Sequence, residues 1–278
     1  MHERKKQIIK VILYTVLGAF AIMQIFPFLW MVVFSLKTET EIHTKSPLSL
    51  PASPYFQNFV DAWVKGNVSS YFLNSVVVTV ISVVMILLLS GMIAYSITRM
   101  RWRLKGGVLA VIMTGMMIPI HATLIPLFLI MQKLGLLSTH LSIILPYIAT
   151  GMPLAVYIFS NFMRNIPREL ESAAYIDGCG VVRTYFSIIL PTLTPAISTI
   201  AIFAFMSTWN EFIMASTYLQ NQALNTLPIG LSAFKGKYLT AWGPLGAAIV
   251  ISTIPLLLFY FVFSEQVEKS FTAGSILK

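Results

Sequence analysis

Six charge-free runs divide the chain: Val11 to Leu36, Val68 to Thr98, Gly106 to Gln132, Leu141 to Met163, Thr184 to Asn210 and Tyr238 to Ser264. Each supplies the about 20 apolar residues that cross a bilayer core. A lipid interior offers no water to backbone N–H and C=O groups, and no run shows the alternation of a barrel strand, so all six predict helices. The fold class is therefore all-α, a polytopic membrane protein with six transmembrane helices. The divisions read as an N-terminus over 1–10, a first span over 11–36, an outer loop over 37–70, a five-helix core over 71–264 and a tail over 265–278. Within the outer loop, Phe56 to Trp63 is helix-like. Pro119, Pro126, Pro146 and Pro153 weaken the backbone ladder of spans three and four and favour kinks.

Composition agrees with this pattern. Of 278 residues, 57% are hydrophobic and 10% charged, against roughly 25% charged in a soluble domain. Arg4, Lys5 and Lys6 precede an apolar run containing Ala19-Phe20-Ala21, which looks like a cleavage site. The run continues unbroken through Phe34, so a retained first span is expected. Thirteen of the nineteen Lys and Arg residues fall on one side if the N-terminus is cytoplasmic, and six on the other. This asymmetry predicts that both termini are cytoplasmic. The net charge of +9 then reflects short loops beside anionic lipid rather than nucleic acid.

The polar break between spans four and five, over 164–190, has its own pattern. Pro167 suits the first turn of a helix, and Glu169 and Glu171 favour the positive end of its dipole. Leu170, Ala173 and Ala174 recur at spacings of three and four, so one face offers small residues for close approach. Asp177-Gly178 and Gly180 end that helix, and Gly178 is expected at positive φ. A second short helix from Arg183 to Ile189 stops at Pro191, which begins span five. Physics alone leaves two readings of this helix–turn–helix: a linker on lipid headgroups, or a knob gripped by another protein.

The same residues resemble the coupling loop of binding-protein-dependent ABC transporter permeases, whose pattern is Glu-Ala-Ala, three residues, Gly, nine residues, Ile-x-Leu-Pro. Ala173, Ala174, Gly178, Ile188, Leu190 and Pro191 match in type and spacing. Ser172 stands where the family has Glu, with Glu171 one position away, and Cys179 replaces a small residue after Asp177-Gly178. Further similarity to the carbohydrate-uptake branch lies in Met117-Ile118-Pro119, Ile125-Pro126, Leu134-Gly135-Leu136-Leu137, Trp209-Asn210-Glu211-Phe212 and Phe271-Thr272-Ala273-Gly274. The resemblance implies a type I importer permease, the smaller subunit of maltose- and multiple-sugar-type systems. It implies a second homologous permease, an ABC ATPase dimer that uses the ATP, an extracytoplasmic sugar-binding protein above, and a carbohydrate cargo. It also implies coupling through 167–191, with the tail over 265–278 as an arm toward the ATPases. By the same resemblance, the outer segment from Ser216 to Trp242 meets the binding protein, with Asn210 and Glu211 at its base.

No phosphate-cradling Gly-x-x-x-x-Gly-Lys-Ser/Thr loop occurs, so this chain is not expected to hydrolyse ATP or bind a cofactor. His2, His43, His121 and His140 lie far apart and lack metal-ligand spacing. No enzymatic constellation is present, and no enzyme is expected. Thr114, His121, Tyr157 and Asn161 are polar enough to face a sugar path or a partner helix, bonding between helices being the commoner role of any single one. Asn210 and Glu211 are candidates for the path or for a binding-protein contact, and an interfacial position explains Glu211 about as well. A gradient-driven secondary transporter would need a buried ionisable pair in the spans, and none is evident. A scaffold or sensor holding a partner by the same knob remains the third reading.

Overall fold

The computed structural model describes the backbone of residues 2–236 and 240–275 and the side chains of 6–236 and 240–263. Among the described residues every regular element is helical. In chain order these are α1 (His2–Ser35), α2 (Glu39–Thr44), α3 (Gln57–Val60), α4 (Val68–Arg99), α5 (Lys105–Thr114), α6 (Leu124–Lys133) and α7 (Leu141–Arg164). There follow α8 (Glu169–Ile176), α9 (Val181–Thr184), α10 (Leu190–Thr192), α11 (Thr194–Trp209), α12 (Ile213–Tyr218), α13 (Leu227–Ser232) and α14 (Trp242–Ser275). Among the described residues, four stretches are long and apolar enough to cross a membrane alone: Lys6–Ser35, Val68–Arg99, Leu141–Arg164 and Trp242–Phe263. Two bent pairs raise the number to six if each is one span. Lys237 and Tyr238, the expected start of span six, and Lys278 lie outside the described residues, as do the side chains of Phe271 to Gly274.

The chain forms two compact units. The first comprises Met1–Ser69 and Gly230–Ile254. Here α1 runs unbroken past Ala19 to Ala21 and through Pro27. The polar segment after it is tied tightly. Lys37 is only 1% exposed, and its ammonium donates to the carbonyls of Ser46 (3.3 Å) and Pro47 (3.1 Å) and to Ser49 Oγ (3.3 Å). A buried cation needs such a ring of acceptors to replace its water. Thr38 and Glu41 form a capping box around α2. Asn58 donates to the carbonyls of Ser35 and Lys37, both at 2.8 Å, and a Cβ on Gly243 would fall 2.5 Å from Asn58 Oδ1. Glycine at 243 is thus required by close approach. The helix-like stretch is seen as α3, continued by a wider turn over Asp61–Lys65.

The second unit comprises Ser70–Ile229 and Pro255–Lys278. α7 is its centre, packed against α5, α11 and α12. Span three bends where its prolines weaken the ladder, and more sharply than a kink: Lys105–Met117 and Ile120–Lys133 meet at 100°. Ile118 is extended (φ −83°, ψ 118°) because a following proline disfavours the helical region, and Pro119 has no N–H with which to continue the ladder. In span five the break comes later than expected. Pro191 sits inside α10, and a 79° bend separates Val181–Thr192 from Thr194–Trp209. Pro195, near the start of α11, cannot donate back to Pro191, whose carbonyl accepts instead from Thr194 Oγ1 at 2.7 Å. By contrast α7 runs through Pro146 and Pro153 without interruption. Pro153 is seated against Gly115, where a Cβ would fall 3.1 Å from its ring.

The Glu41 carboxylate accepts from Lys45 Nζ (2.7 Å), Ala52 N (2.9 Å) and Thr38 N (3.2 Å). These donors, the lysine first, pull its pKa down to about 2 from an ordinary 4.5. Because the folded value is the lower one, the stabilisation is present in full above the ordinary value and disappears as pH falls through about 2. Glu41→Gln should therefore speed proteolysis within 37–55 at neutral pH, with the difference from wild type shrinking as pH drops below about 4.5. Equal cleavage at neutral pH would show that the box does not hold the segment.

Candidate functional site

Between α7 and α11 the chain builds the expected helix–turn–helix. α8 begins at Glu169, with Arg168 as the residue before it, so Pro167 lies outside the helix rather than in its first turn. At the other end Gly178 has φ +77°. Its N–H donates to Tyr175 O at 3.1 Å, and Cys179 N–H reaches Ala174 O at 2.8 Å. These are the two bonds of a Schellman stop, which needs a left-handed residue at Gly178. Nothing lies within 4 Å of a Cβ placed there, so the demand is conformational rather than steric. Gly180 then opens α9, and a wider turn over Tyr185–Ile189 leads into α10.

The two faces of α8 differ from the single small-residue face that its spacing suggests. Glu171 and Ala174 are buried, whereas Leu170, Ser172, Ala173 and Tyr175 are exposed, Asp177 and Gly178 likewise, and Ile176 is 87% exposed. Of the Ile-x-Leu-Pro pattern, Ile188 and Leu190 are half-buried and Pro191 exposed, while the intervening Ile189 is fully enclosed. Tyr185 is also buried, its ring 5.1 Å from that of Tyr95 on α4. Gly91 admits it, since a Cβ there would lie 2.4 Å from the Tyr185 hydroxyl.

Ser172, where the resembling pattern has Glu, points outward, with its hydroxyl on Arg168 O at 3.3 Å. Glu171 points inward. Its carboxylate lies 3.9 Å from Arg99 Nε, with the two side chains only 11% and 5% exposed. Arg99 Nη2 also donates to the carbonyls of Met163 and Ile166, the latter at 2.7 Å. In the sequence Arg99 is one of four basic residues after span two, with Arg101, Arg103 and Lys105. Nothing in its neighbourhood distinguishes it from Arg101 and Arg103, which are exposed.

A second feature lies at the far end of α11. Ile120, His121, Ser207, Asn210, Glu211, Phe212, Ile213 and Met214 line a cleft with about 810 Å³ of open space. The 100° bend brings His121 beside Asn210 and Glu211. Glu211 is itself well satisfied, accepting from Tyr147 Oη (2.6 Å), Met214 N (2.7 Å) and Ala215 N (3.0 Å). It caps α12, a structural duty that its place beside Trp209 did not announce. Ser207, missed in the sequence, joins the cleft because it lies one helical turn before Asn210 and Glu211. Thr114 and Tyr157 do not line it: Thr114 Oγ1 bonds Val111 O at 2.7 Å, and Tyr157 is 50% exposed elsewhere on α7. Beyond α12, the segment over 219–227 is pinned by Asn74 Nδ2 to Ala223 O (2.9 Å) and Asn225 O (3.0 Å), and by Leu227 N–H to Ser75 Oγ (2.7 Å).

A helical membrane chain with a glycine-stopped knob between two spans and a polar cleft farther along matches a known class. Residues 86–273 match the family described as binding-protein-dependent transport system inner membrane component. The chain belongs to this family, the permeases of ABC importers. It is 36% identical over 251 residues to the probable ABC transporter permease protein YurM of Bacillus subtilis, covering 90% of this chain and 83% of that protein. It is 34% identical over 264 residues to the diacetylchitobiose uptake system permease protein NgcG of Streptomyces coelicolor, covering 94% and 87%. To the sulfoquinovosyl glycerol transport system permease protein SmoH of Agrobacterium fabrum it is 32% identical, covering 91% and 88%. Its fold superposes with a TM-score of 0.84 on a chain of a bacterial ABC transporter involved in import of the acidic polysaccharide alginate, at 22% identity and over 94% of this chain and 97% of that one. The fold is that of a type I importer permease, in a multi-pass inner-membrane protein.

Gly178→Val should leave insertion intact and strain the stop by about 1–2 kcal/mol. Amide exchange at 178 and 179 should then rise about 5–30-fold. Unchanged protection in exchange measurements would show that the stop does not depend on glycine.

Proposed function

We propose that this chain is the transmembrane permease subunit of an ATP-driven carbohydrate importer, forming half of the translocation pathway. A separate ATPase moves it through residues 167–191. The observation that carries the reading is the exposed face of α8, where Leu170, Ala173, Tyr175 and Ile176 stand uncovered around a rigidly stopped helix. Apolar surface held at the tip of a polar loop favours a protein partner that can remove it from water. The partners are an ABC ATPase dimer beneath, a second homologous permease beside it and an extracytoplasmic sugar-binding protein above. Both termini are cytoplasmic, on the side where the basic residues gather. ATP is bound and hydrolysed by the partner, and this chain carries no cofactor.

Carbohydrate is favoured as the cargo by the relatives named for diacetylchitobiose and sulfoquinovosyl glycerol. The cleft suits it. His121, Ser207 and Asn210 offer mixed donors and acceptors beside Phe212, which is how a site meets a sugar's hydroxyls and apolar ring faces. The pinned outer segment over 219–227 offers the binding protein a fixed surface, with Asn210 and Glu211 at its base.

In vesicles loaded with ATP, labelled oligosaccharide should enter only when the second permease, the ATPase and the binding protein are all present. Entry driven by a proton gradient alone would replace this reading with a secondary transporter. Gly178→Val should loosen the ATPase and lower uptake, whereas full copurification with normal transport would show that 167–191 is not the handle.

A further inference from the structure

We propose that Arg99 and Glu171 form a latch that ties the ATPase-facing helix α8 to α4, so that a stroke on α8 moves a span with which it shares no chain connection. The inference rests on the reading of 167–191 as the handle. By the backbone alone, α8 is joined to α7 through Asn165–Arg168 and to α11 through α9 and α10. The second link touches α4 through the Tyr185 ring, which lies beside Tyr95 and Gly91. The Arg99 side chain adds a polar tie of its own. It leaves the last turn of α4, places Nη2 on the Met163 and Ile166 carbonyls at the end of α7, and turns Nε toward the Glu171 carboxylate on α8. One planar cation therefore joins three elements, a task that its rigid fork of donors performs better than a lysine.

Burial makes this more than a surface ion pair. With side chains 5% and 11% exposed, the two charges have little water to turn to and face one another instead. Tyr95, one turn earlier on α4, is buried beside the same knob, its ring 5.1 Å from that of Tyr185. The latch is also not fully drawn. Arg99 Nε and Glu171 Oε1 are each buried without a hydrogen-bond partner, and they face one another at 3.9 Å. An approach of about 1 Å brings them to hydrogen-bond distance. Movement of α8 toward α4 is thereby favoured, and α4 is pulled once the contact closes. Both residues are positioning residues; neither meets the cargo or the nucleotide.

The test uses the assembled importer with Glu171→Gln, which keeps shape and removes charge, and with Arg99→Met and Arg99→Lys. In Glu171→Gln and Arg99→Met the ATPase should copurify at wild-type stoichiometry while sugar moved per ATP hydrolysed falls at least tenfold, with Arg99→Lys between them and wild type. An unchanged ratio overturns the latch. So does loss of the ATPase, which would make the pair a docking element instead. A second measurement needs no partner: in the purified chain, amide exchange over 168–178 should quicken at least fivefold in Glu171→Gln while 141–160 keeps its protection. Equal exchange over 168–178 also overturns the latch. A wild-type complex without binding-protein-dependent uptake would overturn the transport reading instead, leaving the exchange result to decide the latch.

Discussion

Inside an apolar slab a polypeptide that stops being a helix must find new partners for the backbone groups it frees, and the second unit is organised around how that is done. At the bend after Thr192, Pro191 O takes the Thr194 hydroxyl and Ile189 O takes that of Thr192, both at 2.7 Å. At the bend around Pro119, Thr123 Oγ1 reaches Ile120 O at 2.6 Å. At the end of α7, carbonyls that would otherwise be orphaned are taken by Arg99. In water any of these groups could be left to solvent. Where water is scarce each must be supplied, and the threonines and the arginine stand where the ladder fails.

Charge follows the same economy. Lys37 is caged by oxygen atoms, Glu41 is held by three donors, Glu211 sits on the first turn of α12, and Glu171 faces Arg99. Among the described residues, these carboxylates and ammonium or guanidinium groups occur at helix ends and in connecting segments, where backbone dipoles and unpaired N–H or C=O groups can receive them. Long apolar helices carry the span, and their ends carry the chemistry.

The two features of functional weight are joined by one rod. α11 begins beside the knob at Thr194 and ends at Trp209, immediately before Asn210 and Glu211 of the cleft, a length of roughly 24 Å. Its packing on α7, which carries Arg99's acceptors at one end and Tyr147 toward the other, gives the pair a common body. The knob and the residues around His121 thus lie at the two ends of one packed helix pair.

Much of this was legible from residue order alone. The number of apolar runs gave the helical membrane class because length and the absence of alternation leave no other way to satisfy a backbone in lipid. Gly178 gave its positive φ because Asp-Gly after a short helix leaves few other ways to stop it. What the chain order could not state was direction. Whether Glu171 or Ser172 faces inward depends on about 100° of rotation about the α8 axis, and only packing against the Tyr185–Ile189 turn and Arg99 sets that angle. The 100° bend at Pro119, and with it the meeting of His121 with Asn210 and Glu211, was equally hidden. A proline announces that a ladder weakens; how far the helix then turns is decided by the neighbours it packs against. Sequence fixes where a chain can bend or bury a charge through properties local to a few residues, and tertiary structure decides which of those options is taken, because the partners come from distant parts of the chain.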